Sequence, residues 1–194
     1  MAAESLSYFQ EVIGPYPFKQ LDIVVDGLGM EYPGIVTVGS IFGHPVDSKS
    51  LKNMVVHELA HQWFYGVVNN DPYKEAWLDE GFTSFTEKLF YFSNSDDEIP
   101  FESMYKMIEG LEPLPVNLPL DQYENSSHVY GKSNTMLWSL FEKRGGLEGA
   151  EKFLKTYYDF YHYKEIDTEE FVRFAKYYFN LEDATEFESW LDIQ

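Results

Sequence analysis

The sequence predicts an α+β, mostly helical fold, with a small β-containing lobe over about residues 1–46 and a helical lobe over about 47–194. Two observations predict this division. β-Branched residues cluster in two short runs near the start, and from residue 48 onward apolar residues recur at helical spacing. Because 44% of the 194 residues are hydrophobic and 18% are aromatic, the chain can bury the core of one domain.

The first lobe is predicted to contain one helix and two strands. Residues 4–13 have a helical pattern that ends before the "GPYP" at 14–17. The runs "QLDIVVDG" at 20–27 and "GIVTVGSIF" at 34–42 are typical of strands. Between them, the glycine- and proline-rich "GLGMEYPG" predicts a tight loop.

The second lobe is predicted to begin with a helix through the stretch "MVVHELAHQWFYG". Ser48 or Ser50 is suited to cap this helix, and Gly66 is suited to end it. Further helices are predicted at 78–92, 101–109, 128–143, 147–163 and 168–179, the last with the capping signal "DTEE". A proline-bearing loop fills 110–127.

Charge and composition exclude several classes of partner. The chain has 14 basic and 33 acidic residues, a formal net charge of −19, which argues against nucleic acid and anionic membranes as partners. A positively charged partner, such as a free amino terminus, is compatible with it. The sequence contains neither an apolar run of about 18 residues nor a signal peptide, so we expect a soluble protein, with the cytoplasm as the preferred compartment.

Two histidines in the predicted helix could share a metal ion. His57 and His61 lie four residues apart, about 40° around a helix, so they point the same way from adjacent turns. Glu58 lies on the same side and could accept a proton from a water molecule held at the metal. The alternative, two structural histidines in a core helix, is weakened because the apolar stripe lies on the other side: Leu51, Val55, Val56, Leu59 and Trp63.

A third ligand is needed, because a catalytic zinc site usually has three protein ligands and one open position. Phe64 and Val67 occupy the positions where a longer motif would carry glycine and a third histidine. Without cysteine in the chain, a carboxylate remains, and Glu80 follows His61 by nineteen residues in the next predicted helix. Its neighbour Asp79 could accept a hydrogen bond from a ligand or cap that helix. We therefore predict one Zn²⁺ bound by His57, His61 and Glu80.

The segments "HELAHQWFYG" and "WLDEGFTSF" resemble the gluzincin aminopeptidase family, which includes alanyl aminopeptidases and leukotriene hydrolase. "GMEYPG" at 29–34, "VYGKSNTMLWSL" at 129–140 and the ending "DTEEFVRFAKYYFN" extend the resemblance over nearly the whole chain. It implies a thermolysin-like zinc metallopeptidase catalytic domain over 1–194, with Glu58 as the general base. It also implies that the family's N-terminal β-sandwich domain and C-terminal helical domain are absent here.

The resemblance further implies roles in substrate binding. Glu31 matches the glutamate that binds the free α-amine of a peptide, and Gly29 and Met30 match the backbone that lies along it. Tyr130 matches the tyrosine that stabilises the tetrahedral intermediate. Tyr123 and His128 are the alternatives for that donor.

The sequence thus predicts a zinc-dependent aminopeptidase whose substrate is a peptide with a free N-terminus. Two other functions stay open. One is a thermolysin-like endopeptidase, for which Glu31 would be irrelevant. The other is a zinc-binding fragment with little activity without the missing domains.

Overall fold

The structure of the chain is a computed structural model that describes residues 1–39, 44 and 46–193. The described chain is mostly helical, with one two-stranded sheet near the N-terminus, as predicted. Its α-helices are α1 Ala2–Val12, α2 Ser48–Ala60, α3 Phe82–Ser93, α4 Phe101–Ile108, α5 Ser133–Ser139, α6 Gly146–Tyr161 and α7 Thr168–Phe179. A short 3₁₀ turn, Leu120–Gln122, lies in the predicted proline-bearing loop.

The sheet consists of β1, Asp22–Asp26, and β2, Ile35–Gly39, which pair in parallel from Asp22 opposite Ile35 to Asp26 opposite Gly39. Both strands fall within the predicted runs, and residues 40–42 of the second run lie outside the described residues. The loop between the strands folds back along β2, because Met30 and Thr37 exchange two backbone hydrogen bonds of 3.1 and 2.9 Å. This brings the 29–34 loop beside the start of the helical part.

Helix α2 is the predicted histidine-containing helix, but both of its predicted ends were wrong. Its N-cap is Asp47 instead of Ser48 or Ser50, because the Asp47 carboxylate accepts hydrogen bonds from the backbone N–H groups of Lys49 and Ser50 at 2.8 and 3.1 Å. The helix ends at Ala60 instead of Gly66. Tyr65 has a φ of 104°, which cannot continue a right-handed helix.

Two predicted helices begin with a π-helical turn. The turn Trp77–Gly81 leads into α3, and the turn His128–Lys132 leads into α5. The second helix ends at Ser139, so its predicted end near residue 143 was wrong. The chain turns there, since the N–H of Gly146 donates to the carbonyl of Phe141 at 2.9 Å and Gly145 has a φ of 87°.

An aromatic core holds α2 and the first π turn in place. Trp63, just after α2, is fully buried and donates from Nε1 to the carbonyl oxygen of Gly14 at 2.9 Å. Trp77 packs edge-on against Phe171 and Trp190, with ring centroids 5.0 and 5.4 Å away. Phe171 belongs to α7, whose N-terminus is capped by Asp167, as the "DTEE" signal predicted. The end of the histidine helix is therefore packed against the N-terminal segment, and the first π turn is packed against the C-terminal segment.

None of the helices in the described part of the chain has the length and apolar character needed to cross a lipid bilayer.

Candidate active site

His57, His61 and Glu80 converge on one point in the structure. One ligand atom from each residue lies within 4.8 Å of the other two. The Nε2 atoms of His57 and His61 are 3.1 and 3.3 Å from the same carboxylate oxygen, Oε2 of Glu80. Two imidazole nitrogens and one carboxylate oxygen are a donor set typical of a catalytic zinc site. The three residues predicted as ligands are thus placed together.

The local backbone explains this convergence. His57 lies in the last turn of α2 and His61 is its C-cap residue, so their rings stand 5.0 Å apart on one side of the helix end. Asp79 and Glu80 are successive residues of the π turn, yet both reach His61. Oδ1 of Asp79 lies 2.9 Å from Nδ1, while Oε2 of Glu80 lies 3.3 Å from Nε2. π-Helical turns are frequent at functional sites because the wider turn redirects side chains.

The Nδ1 atom of His61 is surrounded by oxygen atoms. Besides Asp79, the hydroxyl of Thr83 lies 3.0 Å away and the carbonyl of Phe64 lies 3.3 Å away. Asp79 is buried and makes no cap contact, so of its two predicted roles the structure favours the contact with a histidine. An oxygen acceptor at Nδ1 fixes the ring and leaves Nε2 free to bind a metal ion.

Glu87 of α3 places a carboxylate oxygen near Nδ1 of His57, and it was not among the residues predicted from the sequence. Its Oε2 atom lies 3.3 Å from Nδ1 of His57. The signal that could have found it is its spacing, since Glu87 follows Glu80 by seven residues, close to two helical turns, and so lies on the same face.

Ionisation of the three residues fits a cation site. Burial alone would raise the pKa of Glu80, but its hydrogen bonds with both histidines hold that pKa well below the usual range. Burial alone would lower the pKa of His57, whereas its contacts with Glu80 and Glu87 raise it to about 9. The Glu80 carboxylate is therefore ionised, which is the form that a metal ligand must have.

Glu58 is buried beside these ligands, with only 7% of its surface exposed. Burial raises the pKa of its carboxyl to about 7, although the neighbouring charges of His57 and His61 oppose this rise. A carboxyl with such a pKa can both accept and release a proton near neutral pH.

The 29–34 loop brings the predicted substrate-binding residues to the same place. Gly29 lies against Glu58, since a Cβ atom at Gly29 would stand 2.6 Å from Oε1 of that residue. Met30 is fixed to β2 by its two backbone hydrogen bonds. Burial raises the pKa of Glu31, opposed by the charge of His61 and reinforced by that of Asp79.

Tyr130 also reaches the site. Its ring is stacked on His57 with centroids 5.9 Å apart, and burial followed by the charge of Glu80 raises the pKa of its hydroxyl. The two alternatives are engaged elsewhere. Tyr123 donates its hydroxyl to the carbonyl of Pro115 at 2.8 Å, and Nε2 of His128 lies 3.0 Å from the carbonyl of Glu112. Of the three candidates, Tyr130 is therefore the one shown beside a predicted metal ligand.

Tyr65 is a second residue at the site that was not predicted from the sequence. It lies beside His61, with ring centroids 6.4 Å apart and planes nearly perpendicular. Its φ of 104° is uncommon for a residue other than glycine. No sequence pattern signals such a conformation.

Comparison with known proteins identifies the family. The profile described as "Peptidase family M1 domain" matches residues 1–190. The chain belongs to the peptidase M1 family. Leukotriene A-4 hydrolase of Xenopus laevis is 26% identical over 211 residues, which cover 96% of this chain and 34% of the relative. Aminopeptidase B of Rattus norvegicus is also 26% identical, over 91% of this chain and 30% of the relative. The predicted resemblance to gluzincin aminopeptidases is confirmed.

The fold is that of M1 peptidases. An M1 zinc metallopeptidase from Deinococcus radiodurans has a TM-score of 0.78 at 22% identity, covering 98% of this chain and 43% of that one. Yeast LTA4 hydrolase has a TM-score of 0.76 at 21% identity, covering 97% of this chain and 34% of that one. The chain thus spans about a third of the length of the curated relatives that it matches.

Proposed function

We propose that this M1 chain is the catalytic part of a zinc-dependent aminopeptidase, with a thermolysin-like architecture over 1–194 divided near residue 46. One observation carries the proposal: His57, His61 and Glu80 present their ligand atoms to one point, within 4.8 Å of one another. The family and the names of relatives such as aminopeptidase B support the same activity. The lengths of those relatives support further domains in the complete protein, for which we propose an N-terminal β-sandwich and a C-terminal helical domain.

His57, His61 and Glu80 would hold one Zn²⁺. When bound, the ion supplies a Lewis acid that polarises a peptide carbonyl and lowers the pKa of water. Glu58 takes a proton from the water molecule that attacks the carbonyl carbon, and then transfers it to the nitrogen of the departing amine as the peptide bond breaks. Tyr130 donates its hydroxyl proton in a hydrogen bond to the carbonyl oxygen as negative charge develops there.

Glu31 would bind the free amino group of the substrate. A carboxylate in a partly buried loop stabilises an ammonium ion strongly, because little water competes for either charge. The backbone of Gly29 and Met30 would lie along the first residue of the peptide. A structure of the Deinococcus radiodurans metallopeptidase holds a Tyr-Ser-Ala substrate, which supports a peptide as the ligand class.

The proposal is tested by metal content together with hydrolysis of a panel of amino-acid anilides. We expect one zinc per chain, and cleavage of a free peptide but not of its N-acetylated form. Glu58→Gln should keep the metal and lose activity by at least a hundredfold. Equal cleavage of the free and acetylated peptides would instead indicate an endopeptidase, and full activity of the Glu58→Gln variant would contradict the assigned base.

A further inference from the structure

Gln62 joins the histidine helix to the 29–34 loop. It directly follows His61 and is fully buried, with 0% of its surface exposed. Its Nε2 atom donates to the carbonyl oxygens of Glu31 and Tyr32 at 3.2 and 3.3 Å, and its Oε1 atom accepts from the N–H of Gly34 at 2.8 Å. One side-chain amide therefore contacts three backbone groups of the loop.

These contacts hold the middle of the loop, whereas β-strand contacts hold its ends. Met30 is bonded to Thr37 of β2, and the carbonyl of Gly34 accepts from the N–H of Asp22 at 3.0 Å. Between these two points, the side chain of Gln62 bonds the loop to the segment that directly follows α2. Because Gln62 directly follows His61, its side chain fixes the backbone of Glu31 relative to that histidine.

An amide is the side chain that fits this position. Two carbonyls require two donors and one N–H requires an acceptor, and a glutamine supplies all three groups at once. A glutamate would lose both donors and place a negative charge against the carbonyl oxygens of Glu31 and Tyr32. An apolar side chain of the same size would leave buried polar groups without partners.

We propose that Gln62 is a positioning residue for recognition of the substrate's free amine: it fixes the distance between the Glu31 carboxylate and the metal-binding histidines. This inference rests on the proposed aminopeptidase function. In such an enzyme, the free amine and the carbonyl carbon that is attacked are separated by one Cα atom, so the span between the two sites must be constant. Loosening the loop should therefore weaken binding of the amine more than it impairs the chemistry at the metal.

The test compares Gln62→Met and Gln62→Glu with the parent chain and with Gln20→Met. Gln20 is exposed and its side chain bonds Asp22, so its replacement serves as a matched control. Each protein is assayed with amino-acid anilides and inhibited by two metal-binding compounds. One is an amino-acid hydroxamate, which carries the free amine, and the other is acetohydroxamate, which lacks it.

Both Gln62 variants should raise KM for the anilide about tenfold with a smaller change in kcat, while zinc content stays at the parent value. Inhibition by the amino-acid hydroxamate should weaken by the same factor, and inhibition by acetohydroxamate should be unchanged. Hydrogen exchange should accelerate at residues 29–34 but not within α2. If one Gln62 variant fails to fold, the other is used for the measurement. Gln62→Glu keeps an acceptor for the N–H of Gly34.

Two failures are distinguishable. A parent chain that does not discriminate free from acetylated peptides overturns the proposed function. A parent that does discriminate, with Gln62 variants that keep its KM and its hydroxamate affinity, overturns the positioning role alone. Equal weakening of inhibition by both hydroxamates would also overturn the positioning role, because the defect would then lie at the metal.

Discussion

Gly29 and Glu58 lie so close together that a Cβ atom on Gly29 would stand 2.6 Å from Oε1 of Glu58. The same Cβ would lie 3.5 Å from the end of Met54, so the loop has no free space on that side. Because Glu58 is almost fully buried, it cannot swing into solvent to avoid the added methyl group. Glycine at position 29 is therefore what allows the 29–34 loop to lie against Glu58.

Gly29→Ala should displace the Glu58 carboxylate and lower kcat for amino-acid anilides by about tenfold to a hundredfold, since displacements near 1 Å at a reacting group have effects of that size. Zinc content should not change, because the three ligands are not touched. Gly27→Ala is the matched control in the same loop, where an added Cβ meets nothing within 4 Å. Equal activity of the two variants would show that Glu58 has room to move.

Glu87→Gln should weaken zinc binding about tenfold. The carboxylate near Nδ1 of His57 orients the ring and increases its basicity, and loss of such a partner typically reduces metal affinity tenfold to a hundredfold. Competition with a chromophoric chelator measures the change. Glu102→Gln is the control, because Glu102 is exposed and pairs only with Lys106 on the described surface. An unchanged zinc affinity of the Glu87→Gln variant would mean that packing around His57 is enough to orient its ring.

The two π turns meet at Gly81, the residue that directly follows Glu80. A Cβ atom on Gly81 would lie 2.8 Å from Cβ of Ser133 and 3.1 Å from the carbonyl oxygen of Val129. Gly81→Ala should therefore cost about 1–3 kcal/mol of folding free energy through overpacking, measured by urea denaturation. It should also lower kcat by moving Tyr130 away from the ligands.

Gly131→Ala provides the control within the second π turn. An added Cβ there meets nothing within 4 Å, and alanine restricts the unfolded chain. We expect this variant to be as stable as the parent or more stable by up to about 1 kcal/mol. If both alanine variants were destabilised alike, a general intolerance of the π turns, and not the Gly81 contact, would be the cause.

The sequence predicted those features that depend on local spacing. His57, His61 and Glu80 could be found because two of them repeat at a helical interval and the third begins the next helix. The partners of Gln62 lie about 30 residues away on a loop, and no local pattern links them to that glutamine. The N-cap of α2 was predicted wrongly for a related reason. Asp47 competes with two nearby serines, and only the folded turn shows which side chain reaches the helix N–H groups.

Tyr65 is the clearest case of a feature without a sequence signal, and it allows backbone strain to be separated from side-chain function. Its φ of 104° is held by hydrogen bonds from its own N–H to the carbonyl of Val68 and from Gly66 N–H to the carbonyl of His61, both 2.8 Å. Such a conformation costs about 1–2 kcal/mol for a residue with a Cβ and little for glycine. Glycine, however, lowers the free energy of unfolding by about 0.5–1 kcal/mol, because it gives the unfolded chain more freedom.

Tyr65→Gly should therefore be more stable than Tyr65→Ala by about 0.5–1 kcal/mol, measured by urea denaturation. Both variants lack the ring beside His61, so their kinetic constants should change by the same factor relative to the parent. The control pair is Tyr177→Gly and Tyr177→Ala, at a side chain that is 88% exposed on α7. There the order should reverse, with glycine about 1 kcal/mol less stable, because the position is helical. If the alanine variant were the more stable one at both positions, the turn at residue 65 would relax in solution. The ring of Tyr65 would then be held beside His61 by packing alone.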